Sequence, residues 1–232
     1  MAETIRVELG QPPAPLPSTW LSWRPTSAAH LAAAEARVLR QPDSPLGQCT
    51  TRSVRVGTTR GGWFSSPQPI HVHEVRLGDR GPELLMLHGM AGGAGLWAAN
   101  LRELAEGGFR VRAIDLPGFG RSDRPAFEGA GDDADAGEEF FMSALESYVA
   151  ATPELAARPF WLLGHSFGGY LAGVYSLRHP EQIRHAVLAD AWGMPERDPV
   201  RLLLPPSPLP LPLRPLTQTL RRTGSLVRQR GR

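Results

Sequence analysis

Apolar residues recur along residues 27–198 in two alternating patterns. Short continuous apolar runs are typical of buried strands, and longer segments with apolar residues at every third or fourth position are typical of helices. The runs predict strands at residues 70–77, 84–87, 109–114, 160–163 and 185–189. The longer segments predict helices at residues 27–40, 96–105, 138–150 and 167–178. This alternation predicts the α/β class, with a mostly parallel sheet covered by helices on both faces.

Composition divides the chain into three predicted parts. Residues 1–51 contain Trp20 and Trp23 followed by the first predicted helix, and residues 52–198 carry the strand and helix alternation. Residues 199–232 contain repeated prolines and seven arginines without an acidic residue. Because proline removes backbone donors and helical dihedrals, this last part predicts a disordered or polyproline tail.

Charge and cysteine content narrow the function classes. The formal net charge is +2 and all 25 basic residues are arginine, which indicates a compositional bias rather than a nucleic-acid surface. Cys49 is the single cysteine, so a disulfide framework within the chain is excluded. Residues 1–10 lack the apolar run of a secretory signal, and no stretch approaches the roughly 20 apolar residues that span a bilayer. We therefore expect a cytoplasmic protein whose membrane contact is peripheral.

A Gly-His-Ser-Phe-Gly-Gly sequence at residues 164–169 supplies the first candidate for chemistry. It follows one predicted strand and opens a predicted helix, which is the context of a nucleophile elbow, a tight turn that exposes a serine hydroxyl. Ser166 is therefore the predicted nucleophile. The alternative is a glycine-rich turn with a capping serine, and the loop at residues 88–93 argues against it.

The loop at residues 88–93 is also glycine-rich and follows the predicted strand 84–87. One oxyanion-hole amide comes from a loop in this position, and the other comes from the residue after the nucleophile. The sequence thus predicts the amides of Met90 and Phe167 in these roles. His88 is predicted to orient the loop backbone rather than to act as a base.

A third loop, residues 115–122, follows the predicted strand 109–114. Its glycines suit a tight turn at the carboxyl edge of the sheet, where ligands bind in open α/β folds. Asp115 and Arg121 are predicted to brace this loop.

Taken together, the three loops resemble the α/β-hydrolase superfamily. The Trp20 to Arg24 sequence and the sequences at 118–127, 175–185 and 191–197 are similar to one branch of it, over about residues 20–198. That branch holds the α/β-hydrolase-domain-containing proteins four and five, an N-acylphosphatidylethanolamine lysophospholipase and a lipid-droplet co-activator of triglyceride lipase. Serine at position 166 makes this chain similar to the hydrolytic member, since the mammalian co-activator has asparagine there.

The resemblance implies a serine ester hydrolase of the lysophospholipase or N-acylphospholipid lipase type, acting in lipid metabolism without a cofactor or metal. It implies a lipid or lysophospholipid substrate, peripheral lipid-droplet or membrane binding through Trp20 and Trp23, and a lipase or droplet coat protein as a partner. The alternatives are a non-catalytic lipid-droplet regulator and a lysophosphatidic acid acyltransferase-like protein. For the two tryptophans, packing onto the sheet is an equal alternative to anchoring.

The sequence departs from this family at its catalytic base. Triad residues follow the order nucleophile, acid and histidine in this fold, but no histidine lies in the last 47 residues. We therefore expect the family's later strands, cap and histidine loop to be missing after about residue 198, and this form to be inactive. The strand at 185–189 is then expected to be an uncovered edge, which favours association between molecules.

Three further candidates carry weaker signals. Asp190 is a candidate acid, although an ordinary strand-end aspartate is the commoner alternative. His185 and Asp190 have the spacing associated with glycerolipid acyl transfer, but an odd spacing on a strand points two side chains to opposite faces. His71 and His73 share a strand face, yet the sequence indicates no carboxylate or thiol cluster beside them, so no metal site is predicted.

Overall fold

The protein is described here from a computed structural model covering residues 27–40, 47–60, 66–127 and 133–194. Its elements in chain order are α1 (Ala28–Val38), β1 (Thr50–Thr58), β2 (Pro69–Leu77), β3 (Glu83–Leu87), a 3₁₀ turn (Ala94–Trp97), α2 (Ala98–Glu106), β4 (Arg110–Ile114), α3 (Ala134–Ala150), α4 (Pro153–Ala156), β5 (Phe160–His165), α5 (Phe167–Arg178) and β6 (Ile183–Ala189). All five predicted strands and four predicted helices are present. The sequence did not predict β1 or α4.

The six strands form one sheet in the order β1-β2-β4-β3-β5-β6. The four strands β4, β3, β5 and β6 are parallel, whereas β1 and β2 run antiparallel to their neighbours. In register, Leu85 lies opposite Leu162 of β5, which lies opposite Ala186 of β6. The predicted α/β class and mostly parallel sheet are confirmed.

Helices cover the sheet on both faces, because central strands that are buried on both sides carry apolar residues at successive positions. One core joins the sheet to α3, α4 and α5; it includes Leu85, Leu87, Ile114, Met142, Leu145, Phe160, Leu162 and Leu171. The other joins the sheet to α2 and the end of α1; it includes Leu39, Leu77, Leu84, Met86, Trp97, Leu101, Val111 and Ala113. Every residue of β3 is buried, as expected for a strand in the middle of the sheet.

A charged cluster lies inside the first of these cores. The Arg112 side chain of β4 is almost fully buried; its Nε donates to Glu83 at 2.7 Å and its Nη1 donates to Glu74 at 3.0 Å. Glu74 also accepts hydrogen bonds from Arg52 and from the Tyr148 hydroxyl. Burial alone would lower the pKa of Arg112, but the neighbouring carboxylates raise it, so the guanidinium stays charged. Each buried charge is therefore neutralised by its neighbours, and removal of one would leave the others with fewer partners.

Strand β6 is the edge of the described sheet. Its residues 184–187 are exposed, and the Val187 side chain remains 41% exposed. On the same face His185 packs on the indole of Trp161, with ring centroids 4.1 Å apart. Among the described residues, no strand pairs with the outer side of β6.

Several sequence-based expectations fall beyond the described residues. Trp20, Trp23 and residues 199–232 lie outside them, and the boundary predicted between residues 51 and 52 falls within β1. Within the described ranges, every helix is too short or too polar to cross a bilayer.

Candidate active site

Ser166 lies at the sharp turn between β5 and α5. Its backbone adopts φ 52° and ψ −114°, a conformation that is strained for a residue other than glycine. Three hydrogen bonds hold the turn: Ser166 N–H donates to Ala189 O, while Tyr170 N–H and Trp192 N–H both donate to Ser166 O, each at 3.0 Å. The strain is therefore fixed by β6, by the segment after it and by the first turn of α5.

The elbow glycines are required because the backbone passes so close to itself. A Cβ at Gly164 would overlap the carbonyl of Gly168, and a Cβ at Gly168 would overlap the carbonyls of Leu87 and His88. A Cβ at Gly169 would lie 2.7 Å from Ala191 Cβ. The glycine spacing of the motif thus has a steric cause in this structure.

The loop after β3 lies directly against Ser166. A Cβ at Gly89 would be only 3.1 Å from Ser166 Cβ. Ala91, two residues on, has a positive φ of 57°. The amides of Met90 and Phe167 donate to no backbone carbonyl of the described residues, and Phe167 is the first residue of α5, where amides lack helical partners. Both amides are therefore free to serve an external oxygen atom.

His88 connects two of the three loops. Its Nε2 accepts from Leu116 N–H at 2.9 Å, so its Nδ1 carries the proton and donates to Gly89 O at 2.7 Å. The imidazole is fully buried, and this burial lowers its pKa, so the neutral form is favoured. This geometry matches the predicted orienting role.

The loop at residues 115–122 is braced by its buried aspartate. Asp115 accepts from Ala94 N–H at 2.6 Å and from Arg121 N–H at 2.7 Å. Ser122 Oγ donates to Asp115 O, and it accepts from His73 N–H. The Asp115 carboxylate thus braces this loop, as expected, although it contacts the backbone of Arg121 rather than its side chain, and it also joins the loop to the 3₁₀ turn after β3.

Backbone strain is concentrated at the carboxyl edge of the sheet. Ala91, Ser166 and Asp190 are the only residues other than glycine with positive φ in the described ranges. They follow β3, β5 and β6, respectively, so all three lie where the parallel strands end. Strained conformations persist where the surrounding structure determines them, typically at functional sites.

Comparison with known proteins identifies the family. The sequence profile described as the alpha/beta hydrolase fold matches residues 82–217, more than half of the 232 residues. This chain belongs to the α/β hydrolase fold family. Among solved structures, a membrane phospholipase A described as a novel bacterial virulence factor is similar, with a TM-score of 0.53, 27% identity and coverage of 74% of this chain and 46% of that one.

Curated relatives are similar at higher identity. 1-Acylglycerol-3-phosphate O-acyltransferase ABHD5 of Homo sapiens is 37% identical over 172 residues, which cover 74% of this chain and 44% of the relative. (Lyso)-N-acylphosphatidylethanolamine lipase of Bos taurus is 36% identical over 198 residues, which cover 82% of this chain and 53% of the relative. The chain spans about half the length of the curated relatives it matches.

An α/β hydrolase fold with a serine nucleophile needs an imidazole base at the elbow. All seven histidines of the chain lie within the described residues. Six contact groups other than the Ser166 hydroxyl: His30 contacts Ser27, His71 Asp123, His73 Glu35, His88 Gly89 and Leu116, His179 Glu146, and His185 Trp161. His165 Nδ1 is buried without a hydrogen-bond partner and faces Gly89. Among the described residues, no histidine is hydrogen-bonded to Ser166 Oγ.

The candidate acid, Asp190, lies at the end of β6, the strand that is hydrogen-bonded to the elbow. Asp190 is exposed and follows β6 directly, next to Ala189, whose carbonyl accepts from Ser166 N–H. His185 lies opposite Trp161 near the start of β5, whereas Asp190 lies beyond the other end of β6. His185 and Asp190 therefore lie towards opposite ends of β6.

The sequence-based view of His71 and His73 was wrong in one respect, because carboxylates do accompany them. His71 Nδ1 lies 3.1 Å from Asp123, and His73 Nε2 lies 2.9 Å from Glu35 of α1. Ligand atoms of Glu35, His73 and Asp115 lie within 4.8 Å of one another. However, Arg121 Nη1 donates to Glu35 at 2.8 Å, and this guanidinium supplies the positive charge that the carboxylate would otherwise seek. Glu35, which no sequence motif singled out, thus joins α1 to β2 and to the loop after β4.

Glu35 is expected to make the docking of α1 dependent on pH. Burial alone would raise the pKa of the Glu35 carboxyl, but hydrogen bonds and charges from His73 and Arg121 outweigh burial and lower it. A carboxyl with a lowered folded pKa stabilises the fold above its unfolded pKa, about 4.3, and loses this contribution as pH falls through the folded value. At pH 7 the Glu35→Gln variant should lose about 1–3 kcal/mol in free energy of unfolding.

Urea unfolding of the wild type and Glu35→Gln at pH 7 and pH 3 measures this contribution. The difference between the two proteins should shrink as the pH is lowered from 7 towards 3, because Glu35 takes up a proton as the pH falls through its lowered pKa. A difference that is the same at both pH values would show that the charge of Glu35 contributes nothing to stability.

Proposed function

We propose that the chain forms the nucleophile and oxyanion part of a serine ester hydrolase of the lysophospholipase or N-acylphospholipid lipase type. Ser166 is the nucleophile, and the amides of Met90 and Phe167 receive the negative charge. The observation that best supports this proposal is the strained Ser166 at the start of α5 with Gly89 packed against it. Strained backbone conformations of this kind are concentrated at functional sites.

The chemistry follows from this placement. The Ser166 hydroxyl attacks the ester carbonyl, whose oxygen gains negative charge and is stabilised by the two amides and the amino end of α5. The alcohol leaves, and water then releases the fatty acid from the serine ester. Each step needs a proton acceptor or donor, so turnover depends on an imidazole reaching Ser166 Oγ.

The relatives support the lipid chemistry. One is named for acyl transfer to acylglycerol phosphate and the other for hydrolysis of N-acyl phospholipids, so both names describe acyl groups on glycerophospholipids. Hydrolysis and transfer share the serine acylation step and differ in whether water or an alcohol accepts the acyl group. An acylated Ser166 would be the shared intermediate of either reaction.

A second candidate function is non-catalytic regulation at a lipid surface. It is favoured by the contacts of the histidines, since none of the seven is hydrogen-bonded to Ser166 Oγ in the described part of the chain. We further propose cytoplasmic residence and peripheral contact with lipid droplets through Trp20 and Trp23, with a lipase or droplet coat protein as the partner. These two tryptophans lie outside the described residues, so this part of the proposal rests on the sequence resemblance.

Labelling by a fluorophosphonate probe tests whether Ser166 is a nucleophile, and turnover of a short acyl ester tests whether a base reaches it. We expect ester turnover by the 232-residue protein close to background, because no histidine of the described residues is hydrogen-bonded to the Ser166 hydroxyl. Weak labelling by the probe should still occur, because the amides and the elbow pre-organise the hydroxyl. Ser166→Ala should abolish this labelling.

The matched control is Ser176→Ala. Ser176 lies on the same helix, and its hydroxyl donates to the Ala172 carbonyl away from the elbow. This variant should label like the wild type. Turnover well above background that requires Ser166 would show that a base is within reach, whereas labelling that survives Ser166→Ala would remove Ser166 as the nucleophile.

A further inference from the structure

Aromatic side chains gather around the nucleophile. Five of the eight phenylalanines of the chain, Phe119, Phe127, Phe140, Phe141 and Phe167, lie in one group of contacting rings. Four of them form a row with Trp192, which we call the aromatic strip: Phe127, Phe140, Phe141, Phe167 and Trp192. Successive ring centroids along the strip are 5.8, 5.0, 5.0 and 5.7 Å apart.

The strip is accessible at its ends and sheltered in the middle. Phe127 is 43% exposed and Trp192 is 42% exposed, whereas Phe140, Phe141 and Phe167 are half-buried. Phe141 and Phe167 rest on the core beneath them. The rings therefore have a firm base and still present apolar surface outward, a combination typical of binding sites for apolar ligands.

The strip is joined to the reacting serine through the backbone of Phe167 and Trp192. Phe167 follows Ser166 directly, and its amide is one of the two proposed oxyanion donors. At the other side of the serine, Trp192 N–H donates to Ser166 O. An ester carbonyl held at Ser166 would have its acyl chain leaving from this point, where aromatic surface begins.

We propose that the aromatic strip binds the acyl chain of the substrate, with the chain running from Ser166 over Phe167 and Phe141 towards Phe140 and Phe127. This inference rests on the proposed hydrolase function and adds the residues that select the acyl group. The rings stand in single file, and the middle ones are half-buried, so the strip suits one extended chain. A bilayer would meet only the exposed ends, Phe127 and Trp192.

The strip should make binding depend on chain length. Each methylene that leaves water contributes about 0.8 kcal/mol, which equals about a fourfold gain in affinity. Affinity should therefore rise about fourfold per added methylene until the chain passes Phe127. Beyond this ring, further methylenes return to water and add little.

The test measures binding without turnover. The Ser166→Ala protein is titrated with a fatty acid brominated in mid-chain, below its critical micelle concentration, and bromine quenching of tryptophan fluorescence is recorded. The quenched signal is expected to come from Trp192 and to disappear in Trp192→Phe. Phe141→Ala should raise the Kd at least tenfold.

Two further variants distinguish loss of binding from loss of folding. Phe127→Ala removes an exposed ring, so the fold should survive while the Kd for the longer fatty acids rises several-fold. Phe109→Ala is the matched control, because Phe109 packs on Trp161 at the opposite face of the sheet. Its Kd should equal that of the parent protein.

Unchanged binding in both Phe141→Ala and Phe127→Ala would overturn the inference. It would also be overturned if phosphatidylcholine vesicles shifted the Trp192 emission while monomeric fatty acid caused no quenching, since that pattern indicates contact with a bilayer. Failure of the hydrolase proposal gives a different result: probe labelling that does not need Ser166, with fatty acid binding at the strip intact.

Discussion

An Arg112→Met variant is expected to lose about 3–5 kcal/mol in free energy of unfolding, the range found when one partner of a buried ion pair is removed. Arg112 lies between the Glu74 and Glu83 carboxylates, and all three side chains are almost fully shielded from water. Without the guanidinium, two like charges remain buried in the core with fewer donors. Native proteins have total stabilities of about 5–15 kcal/mol, so this loss would be a large fraction of the free energy of unfolding.

Urea unfolding followed by circular dichroism measures the effect. The matched control is Arg76→Met, which removes a second arginine beside Glu74 whose side chain is about one third exposed. This variant should lose no more than about 1 kcal/mol, since exposed ion pairs contribute little. Equal losses in the two variants would show that burial of Arg112 is not the deciding factor.

Gly168→Ala is the second substitution expected to have a large effect. The added methyl would overlap the backbone carbonyls of Leu87 and His88 at the end of β3, and neither carbonyl belongs to a side chain that could turn aside. Helix α5 would have to move away from the sheet, which disturbs both the core beneath it and the elbow. We expect a loss of about 3 kcal/mol, the upper end of the usual range for overpacking a dense core, and no fluorophosphonate labelling of Ser166.

The same glycine-to-alanine substitution at Gly137 is expected to have the opposite effect on stability. Gly137 lies within α3, and a Cβ there would meet no atom within 4 Å. Alanine in a helix interior is favoured over glycine by about 0.5–1 kcal/mol, so this variant should be more stable than the wild type. Thermal unfolding of both variants measures these changes in stability. A Gly168→Ala protein as stable as the wild type would contradict the close approach of α5 to β3.

The central strands could be predicted from the sequence because burial on both faces leaves an uninterrupted apolar run. Strand β1 could not, since its nine residues contain only two valines, Val54 and Val56, among threonines and arginines. Its conformation is determined by pairing with β2 rather than by its own composition. Helix α4 is a single turn of four residues, too short to show a periodic pattern.

The candidate site was predictable in its local parts. Ser166 and the elbow glycines are neighbours in the chain, so one short motif specifies the turn. The Glu35 contact with His73 and Arg121 was not predictable, because it joins a helix, a strand and a loop that are distant in sequence. The row of rings from Phe127 to Trp192 is likewise assembled from separate segments, so only the folded chain reveals it.

The strand order has a consequence for how the protein folds. Strand β5, helix α5 and strand β6 follow one another directly and pair side by side, so they form with little loss of chain entropy. Pairing of β3 with β5 must close a much longer loop that contains α2, β4, α3 and α4. We therefore expect the elbow to form early and the loop carrying Met90 to dock against it late. The two proposed oxyanion amides would then come together only in the final stage of folding, so any chain arrested before that stage would hold Ser166 with the amide of Phe167 but without that of Met90.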